Sequence, residues 1–326
     1  MPYHHEYDIA LNAVRAASAI CARVQAAMKP ATLIKGDRSP VTVADYASQA
    51  IICRRLMEAF PDDVILAEEH SLDLLEGKMP GMADELVGLI REQEAPGATL
   101  EDICAWIDCS GRNAARGRTW ILDPIDGTKG FIRGEQYAIA LALMAEGRLE
   151  LGLLGCPNIA YDGDRVGCVF AARKGAGAKQ LWLGEPARER AIEVSKDADG
   201  PSMTFVESVE AAHADHGVHQ ALCRDLGVTR QPVRIDSQAK YAVVARGEAS
   251  AYLRLQPDPE YRQKVWDHAA GCVVIEEAGG RVSDENGKAL DFGCGARLEN
   301  NIGVIVTNGA CHDALLEAIS KQAKRA

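Results

Sequence analysis

Apolar positions follow a helical rhythm in the first third of the chain. Residues 6–28, "EYDIALNAVRAASAICARVQAAM", repeat apolar side chains at helical spacing and contain many alanines, which predicts a long amphipathic helix. Residues 29–40, with Pro, Gly and several charges, predict a loop. Residues 41–60 predict an extended piece that becomes a second helix. Two further helices are expected before a Gly/Arg-rich loop, at 82–94 and 99–106.

The middle of the chain has the pattern of strands. Two short apolar runs end in acidic residues, one in "DVILAEEH" (63–70) and one in "TWILDPIDGT" (119–128). Residues 137–157, "YAIALALMAEGRLELGLLGCP", predict a β-hairpin that turns at Glu146-Gly147. Residues 165–183 continue it as an antiparallel meander. The first 190 residues are therefore expected to form an α+β domain.

The pattern changes after about residue 190, where short strands alternate with helices. This alternation predicts an α/β domain over residues 191–326. The expected strands lie within "MTFVES" (203–208), "PVRIDS" (232–237), "SAYLRL" (250–255) and "GVIVTN" (303–308), and the expected helices at 213–226, 238–246 and 267–278.

Composition excludes several classes of protein. The chain has 326 residues, 47% of them apolar and 25% charged, as in ordinary globular proteins. With 36 basic and 47 acidic residues the net charge is -11, which argues against a broad basic surface for a nucleic acid polymer. No apolar run approaches the roughly 20 residues that a membrane span needs. Ten cysteines without a C-x-x-C pair, and an N-terminus without a secretory pattern, predict a cytoplasmic protein with reduced thiols.

Five acidic residues at strand ends or helix starts are the candidate chemistry. Mg²⁺ prefers oxygen ligands, keeps part of its water shell and often bridges to substrate phosphate, so such a set suits it. Each residue alone is also explained by a helix cap or a solvated surface. The five are Asp45, Glu68, Asp123, Asp126 and Asp267.

The unit "DPIDGT", residues 123–128, is more specific than any single carboxylate. Pro124 stiffens the turn, so that Asp123 and Asp126 are held toward one point with the carbonyl of Ile125 between them. Gly127-Thr128 is expected to begin a helix or turn. The apolar strand before this unit gives no packing reason for two charges.

These residues carry a resemblance to a known family. "WILDPIDGTKGFIRGEQYAIALAL" (120–143) and "VWDHAAGCVVIEEAGGRVSDENGKALDFG" (265–293) resemble the Mg²⁺-dependent, lithium-sensitive phosphatases of the inositol monophosphatase superfamily. Its D-P-[IL]-D-G-T turn, upstream E-E pair and later W-D pair are all present, with Ala67 where the family usually has Gly. The long connection between Glu69 and Asp123 and the "DSQAKYAVVARGEASAYLRL" segment look like the 3'(2'),5'-bisphosphate nucleotidase branch.

The resemblance implies a fold and a role for each matching residue. The fold is a layered α/β/α/β/α sandwich with a metal-binding catalytic domain over 1–190 and a nucleotide-binding domain over 191–326. Asp45 and Thr128 would be catalytic, orienting and deprotonating the attacking water. The metal ligands would be Glu68, Asp123, Ile125 through its carbonyl, Asp126 and Asp267, with Glu69 beside them. The substrate residues would be Thr128, His216, Ser237, Lys240, Arg254 and Asp267.

The implied activity is removal of the 3'-phosphate of adenosine 3',5'-bisphosphate to give AMP, with two or three Mg²⁺ ions and inhibition by Li⁺. The 2',5' isomer and sulfated analogues are further expected substrates, in sulfur metabolism. The implied partner is this small molecule, and the implied assembly is a monomer or homodimer. Inositol monophosphatase or histidinol-phosphatase activity on the same scaffold stays open, as does a non-catalytic nucleotide-binding protein. Either His213 or His219 could replace His216 at the nucleotide.

Overall fold

The computed structural model of the protein describes residues 2–28, 42–109, 117–209, 216–256, 258 and 260–323. The loop expected at 29–40 lies outside the described residues, as does the Gly/Arg-rich loop over 110–116. The chain begins with five helices and a short strand: α1 (His4–Ala27), α2 (Val43–Ala59), β1 (Val64–Ala67), α3 (Leu72–Leu75), α4 (Pro80–Gln93) and α5 (Leu100–Ile107).

The central part is a sheet with one inserted helix. Its elements are β2 (Arg118–Asp126), α6 (Thr128–Ile132), β3 (Ala138–Ala145), β4 (Arg148–Asp162), β5 (Arg165–Arg173), β6 (Ala178–Trp182) and β7 (Glu189–Ile192). With β1 they form a seven-stranded sheet in sequential order, in which β1 and β2 are parallel and all later neighbours are antiparallel. The hairpin turn expected at Glu146-Gly147 is confirmed, and both residues have positive φ.

The last part of the chain forms a second sheet with four helices. Its elements are β8 (Phe205–Glu207), α7 (His216–Leu226), β9 (Val233–Arg234), α8 (Ala239–Ala245), β10 (Ala251–Arg254), α9 (Ala269–Glu277), β11 (Arg281–Ser283), a 3₁₀ turn (Phe292–Cys294), β12 (Val304–Thr307) and α10 (His312–Ala323). The five strands are ordered β11-β12-β10-β8-β9.

Three apolar clusters stack these elements into five layers. One face of the seven-stranded sheet, including Trp120 and Leu122, packs on α1 and α2. The opposite face, including Ile121, packs on α8 and α9, whose far side covers the second sheet. The remaining face of the second sheet packs on α7 and α10. Because side chains alternate along a strand, neighbouring residues of β2 serve different cores, and the expected α/β/α/β/α sandwich is confirmed.

Several details differ from the sequence expectation. The extended piece before α2 is limited to Thr42 within the described residues, because Thr42 caps the helix and Val43 is already helical. The expected strand in "PVRIDS" is two residues long, and α3, β11 and α10 were not predicted. The seven-stranded sheet ends at Ile192 and the second begins at Phe205, so the division after residue 190 stays a prediction. Within the described residues, no helix combines the length and hydrophobicity that a bilayer crossing needs.

Candidate active site

The predicted acidic residues meet at one edge of the seven-stranded sheet. Strands β1 and β2 are parallel neighbours whose last paired residues are Ala67 and Leu122, so Glu68, directly after β1, and Asp123, within β2, come next to each other. A cavity of about 610 Å³ opens there between the two sheets. Its lining includes Glu68, Asp123, Ile125, Asp126, Thr128, Ser237, Lys240, Arg254 and Asp267. The sequence-predicted residues from both halves of the chain are thereby brought together.

An irregularity at the end of β2 turns the "DPIDGT" unit into the cavity. Pairing with β3 is regular as far as Asp123 and resumes only at Asp126, with a register shift between them. Pro124 has no N–H to donate, so it fits this interruption, and its carbonyl accepts a 2.9 Å hydrogen bond from Ser48 Oγ on α2. Gly127 then adopts a left-handed φ of 86° and α6 begins at Thr128. The predicted turn and helix start are confirmed.

Asp45 caps α2 and also contacts Thr128, which lines the cavity. Its Oδ2 accepts hydrogen bonds from Thr42 N at 2.8 Å and Thr42 Oγ1 at 2.6 Å, which completes a capping box for α2. Its Oδ1 lies 3.4 Å from Thr128 Oγ1, a hydroxyl that is also 3.2 Å from the carbonyl of Ile125. Burial raises the pKa of Asp45 to about 6. The two residues expected to handle the attacking water are therefore in contact.

The carboxylates around the "DPIDGT" turn crowd one another. Burial raises the pKa of Asp123 well above its usual range, and the charges of Glu68, Asp126 and Asp267 raise it further. Within the described residues, Oδ1 of Asp123 is buried and has no hydrogen-bond partner. Burial, with the charge of Asp267, raises the pKa of Asp126 to about 6. Buried acceptors without donors and mutually repelling charges are what a bound cation would relieve.

Two glutamates complete this acidic end. The side chain of Glu68 is accessible to water at the cavity surface, although protein atoms surround most of it. Desolvation, and then the negative charge of Asp267, raise the pKa of Glu68 to about 8. Desolvation and then the charge of Asp45 raise the pKa of Glu69 to about 8. Within the described residues, no three His, Cys, Asp or Glu side chains stand in an arrangement that could hold a metal ion by itself. Mg²⁺ does not require one, because it usually keeps waters and binds a few carboxylates plus substrate phosphate.

Lys240 and Arg254, called the basic end of the cavity below, are held by protein groups and adjoin the acidic residues, since Arg254 contacts Asp267. Lys240 is 5% exposed, and its Nζ donates a 2.8 Å hydrogen bond to the carbonyl of Ser237. Burial lowers the pKa of Lys240 to about 8, against the opposing charge of Asp126. Arg254 Nη1 lies 3.4 Å from Asp267 Oδ2. Neither Lys240 nor Arg254 is an exposed surface charge, and Asp267 does not cap α9, whose N-cap is His268.

The histidine candidates are only partly described. His219 is 4% exposed, its Nδ1 lies 3.2 Å from Glu207 Oε2, and it does not line the cavity. His213 lies outside the described residues, as does the side chain of His216, so their contact with a nucleotide stays a prediction.

Two buried glutamines that the sequence did not single out connect the acidic segments. Gln49 on α2 donates through Nε2 to the carbonyls of Glu69 at 2.7 Å and Ile107 at 2.9 Å, and accepts from Glu69 N at 3.0 Å. Gln238 donates its backbone N–H to Asp126 Oδ2 at 2.6 Å and its Nε2 to the carbonyl of Trp266 at 2.8 Å. An uncharged polar residue within a helix is the signal that could have revealed Gln49, whereas Gln238 precedes α8 among other polar residues and carries no such signal.

Comparisons with known proteins agree with this geometry. The model of the inositol monophosphatase family matches residues 4–324. The chain is 38% identical to a 3'(2'),5'-bisphosphate nucleotidase of Emericella nidulans, over 99% of this chain and 100% of that protein. It is 40% identical to a 3'(2'),5'-bisphosphate nucleotidase of Oryza sativa, over 99% of this chain and 96% of that protein. The fold is similar to that of an inositol monophosphatase from Anabaena, with a TM-score of 0.66 and 22% identity over 98% of this chain and 97% of that one. It is also similar to that of a Thermotoga maritima IMPase, with a TM-score of 0.67 and 21% identity over 98% of this chain and 99% of that one.

Proposed function

The chain belongs to the inositol monophosphatase family, and on that premise we propose that it removes the 3'-phosphate of adenosine 3',5'-bisphosphate, giving AMP and phosphate. The full-length similarity to proteins named 3'(2'),5'-bisphosphate nucleotidase supports this substrate class. So does the cavity, whose lining contains both a group of carboxylates and two buried cations. A carboxylate end needs cations before it accepts a phosphate, whereas a Lys/Arg end attracts a phosphate directly. A substrate with two phosphates, one cleaved and one kept, matches such a cavity.

The residues present at the acidic end fit Mg²⁺, as the partnerless Oδ1 of Asp123 and the all-oxygen donor set indicate. When bound, two or three Mg²⁺ ions would supply positive charge and Lewis acidity toward phosphate and water. Li⁺ is expected to inhibit by competing for one of these positions. The ligands would be Glu68, Asp123, the carbonyl of Ile125, Asp126 and Asp267, with Glu69 adjacent.

Asp45 and Thr128 would position and deprotonate the attacking water. The Thr128 hydroxyl faces Asp45 Oδ1 and can pass a proton toward it while directing its own oxygen into the cavity. A carboxyl with pKa about 6 is mostly ionised at neutral pH, so Asp45 can accept that proton. The hydrogen bonds from Thr42 to Oδ2 keep Asp45 in this orientation.

The other half of the chain would bind the nucleotide. We assign the uncleaved phosphate to Lys240 and Arg254, with Ser237, Asp267, Thr128 and His216 as the remaining substrate contacts. In this proposal residues 1–190 form the metal-binding catalytic domain and residues 191–326 complete the site. Action on the 2',5' isomer and on sulfated analogues, in the cytoplasm, as a monomer or homodimer, belongs to the same proposal.

The test is phosphate release from adenosine 3',5'-bisphosphate, inositol 1-phosphate and histidinol phosphate side by side, with Mg²⁺, with Mg²⁺ plus Li⁺, and with chelator. We expect kcat/KM to be highest for the bisphosphate and to vanish on chelation. A preference for either monophosphate would overturn the substrate assignment while keeping the metal site. Release that persists in chelator would overturn the metal assignment.

A further inference from the structure

One cation at the cavity lies apart from the pairs described above. Lys264 lines the cavity and its charge lowers the pKa of Asp267, yet within the described part of the chain its ammonium group forms no salt bridge and no hydrogen bond. Lys240 donates to the carbonyl of Ser237, and Arg254 faces Asp267. The charge of Lys264 is therefore the more available one for an anion that enters the cavity.

The protein nevertheless holds this ammonium group in place. Lys264 Nζ lies 4.8 Å from the centroid of the Trp266 ring, and Trp266 is 7% exposed. The backbone of Lys264 forms a β-bridge with Arg297, which fixes the segment from the other side. An aromatic ring attracts a cation without neutralising it, so the charge stays usable by a ligand. Its pre-positioning reduces the entropy lost when a ligand binds.

An aromatic side chain stands at the same opening. Tyr261 lines the cavity and is 40% exposed, whereas Tyr241 and Tyr252, which also line it, are buried. Tyr261 N donates a 3.2 Å hydrogen bond to the carbonyl of Asp258, which anchors its backbone. A ring that is anchored but open to solvent offers a face on which a nucleobase can stack.

We propose that Tyr261 and Lys264 form a rim subsite for the uncleaved part of the substrate, in which Lys264 contacts the second phosphate and Tyr261 stacks on the base. This inference rests on the proposed bisphosphate activity and adds two specificity-determining residues to it. Both residues would act on substrate selection and not on bond cleavage, because neither belongs to the proposed metal ligands or to the pair that positions the attacking water.

The experiment measures kcat and KM of full-length wild type, Lys264→Gln and Tyr261→Ala. Three substrates are compared: adenosine 3',5'-bisphosphate, adenosine 3'-monophosphate and the base-free ribose 3,5-bisphosphate. Lys264→Gln should raise KM for the two bisphosphates about fivefold more than for the monophosphate, as loss of one partly exposed ion pair predicts. Tyr261→Ala should raise KM for the two adenosine substrates about tenfold more than for the base-free one, as loss of a stacking contact predicts.

The controls separate this inference from folding and from the proposed function. Tyr261→Phe keeps the ring and should behave as wild type, and Lys321→Gln removes an exposed lysine paired with Glu317 and should also be neutral. If wild type itself shows no preference for the bisphosphate, the proposed function fails. If wild type shows that preference and either rim variant changes KM equally for all three substrates, the rim assignment of that residue is overturned.

Discussion

The two ends of the cavity bury charge in different ways. At the acidic end, Asp123 and Asp126 share a tight turn, repel each other, and leave Oδ1 of Asp123 without a partner. At the basic end, Arg254 faces Asp267 and Lys240 donates to a carbonyl, so each cation already has a protein partner. The two cations are thus already partly balanced by protein groups, whereas the acidic end has the electrostatics of a site that needs a cation.

The largest effect should come from Asp126→Asn at the acidic end. Asparagine keeps the size and an oxygen for the Gln238 N–H but removes the charge, so kcat/KM with saturating Mg²⁺ should fall on the order of a thousandfold. The melting temperature should not fall, because the substitution removes a buried negative charge that the neighbouring carboxylates repel. Asp162→Asn, at a half-exposed residue paired with Arg165, is the matched control and should stay active. Wild-type turnover in folded Asp126→Asn would contradict the metal-site assignment.

Next in size is Arg254→Ala at the basic end. It removes a charge assigned to the uncleaved phosphate. The increase in KM for adenosine 3',5'-bisphosphate should therefore be roughly tenfold larger than the increase for adenosine 3'-monophosphate. Arg281→Ala, which removes a half-exposed arginine paired with Asp313, should leave both KM values unchanged. Equal increases for the two substrates would mean that Arg254 serves to balance Asp267 and not to bind phosphate.

A third variant tests the link between the two ends. Gln238→Ala removes the side-chain bond to the carbonyl of Trp266, which precedes Asp267, and should weaken Mg²⁺ binding about tenfold. The readout is the Mg²⁺ concentration that gives half of the maximal rise in melting temperature. Gln180→Ala removes an equally buried glutamine far from the cavity, so it should lower stability without shifting this midpoint. A midpoint shift of the same size in both variants would argue for a general packing effect.

The smallest effect is a pH dependence of stability without Mg²⁺. Asp45 and Asp126 have folded pKa values of about 6, raised above the 3.8 of the unfolded chain. For such groups the folded state binds more protons, so their contribution to stability is full below about pH 4 and is lost as pH rises through about 6. The metal-free melting temperature should fall across this window by a few degrees, and Mg²⁺ should flatten the decline. A metal-free profile that rises throughout would contradict the crowding of the carboxylates.

Sequence patterns predicted the acidic end better than the basic end. The acidic residues lie next to strong local signals, since Glu68 ends a strand and Asp123 to Thr128 form one contiguous motif. Local chemistry fixes such a turn: Pro124 breaks the sheet pairing and Gly127 adopts the left-handed conformation. The assignments to Lys240 and Arg254 depended on resemblance, because burial of a lysine on a helix is decided by distant packing.

Other features of the structure could not be predicted from local sequence patterns. The contact of Gln238 with Asp126 joins residues 112 positions apart, and no window of the sequence contains both. The helix α3 and the strand β11 are too short for a periodic pattern to emerge. Asp45 shows the opposite case, because a local capping pattern accounts for its Oδ2, whereas its Oδ1 contacts Thr128, and the catalytic role of this pair stays a prediction.

The close approach of Gly127 to Ser237 has an evolutionary consequence. A Cβ added at Gly127 would come within 2.9 Å of the Ser237 Cβ, and both residues have positive φ. Ser237 tolerates this conformation while its Oγ accepts the hydrogen bond from Ala239 N. A side chain at Gly127 would be strained by its backbone conformation as well as by this contact, whatever residue stood at 237, so glycine should persist at this position as the lineage diverges.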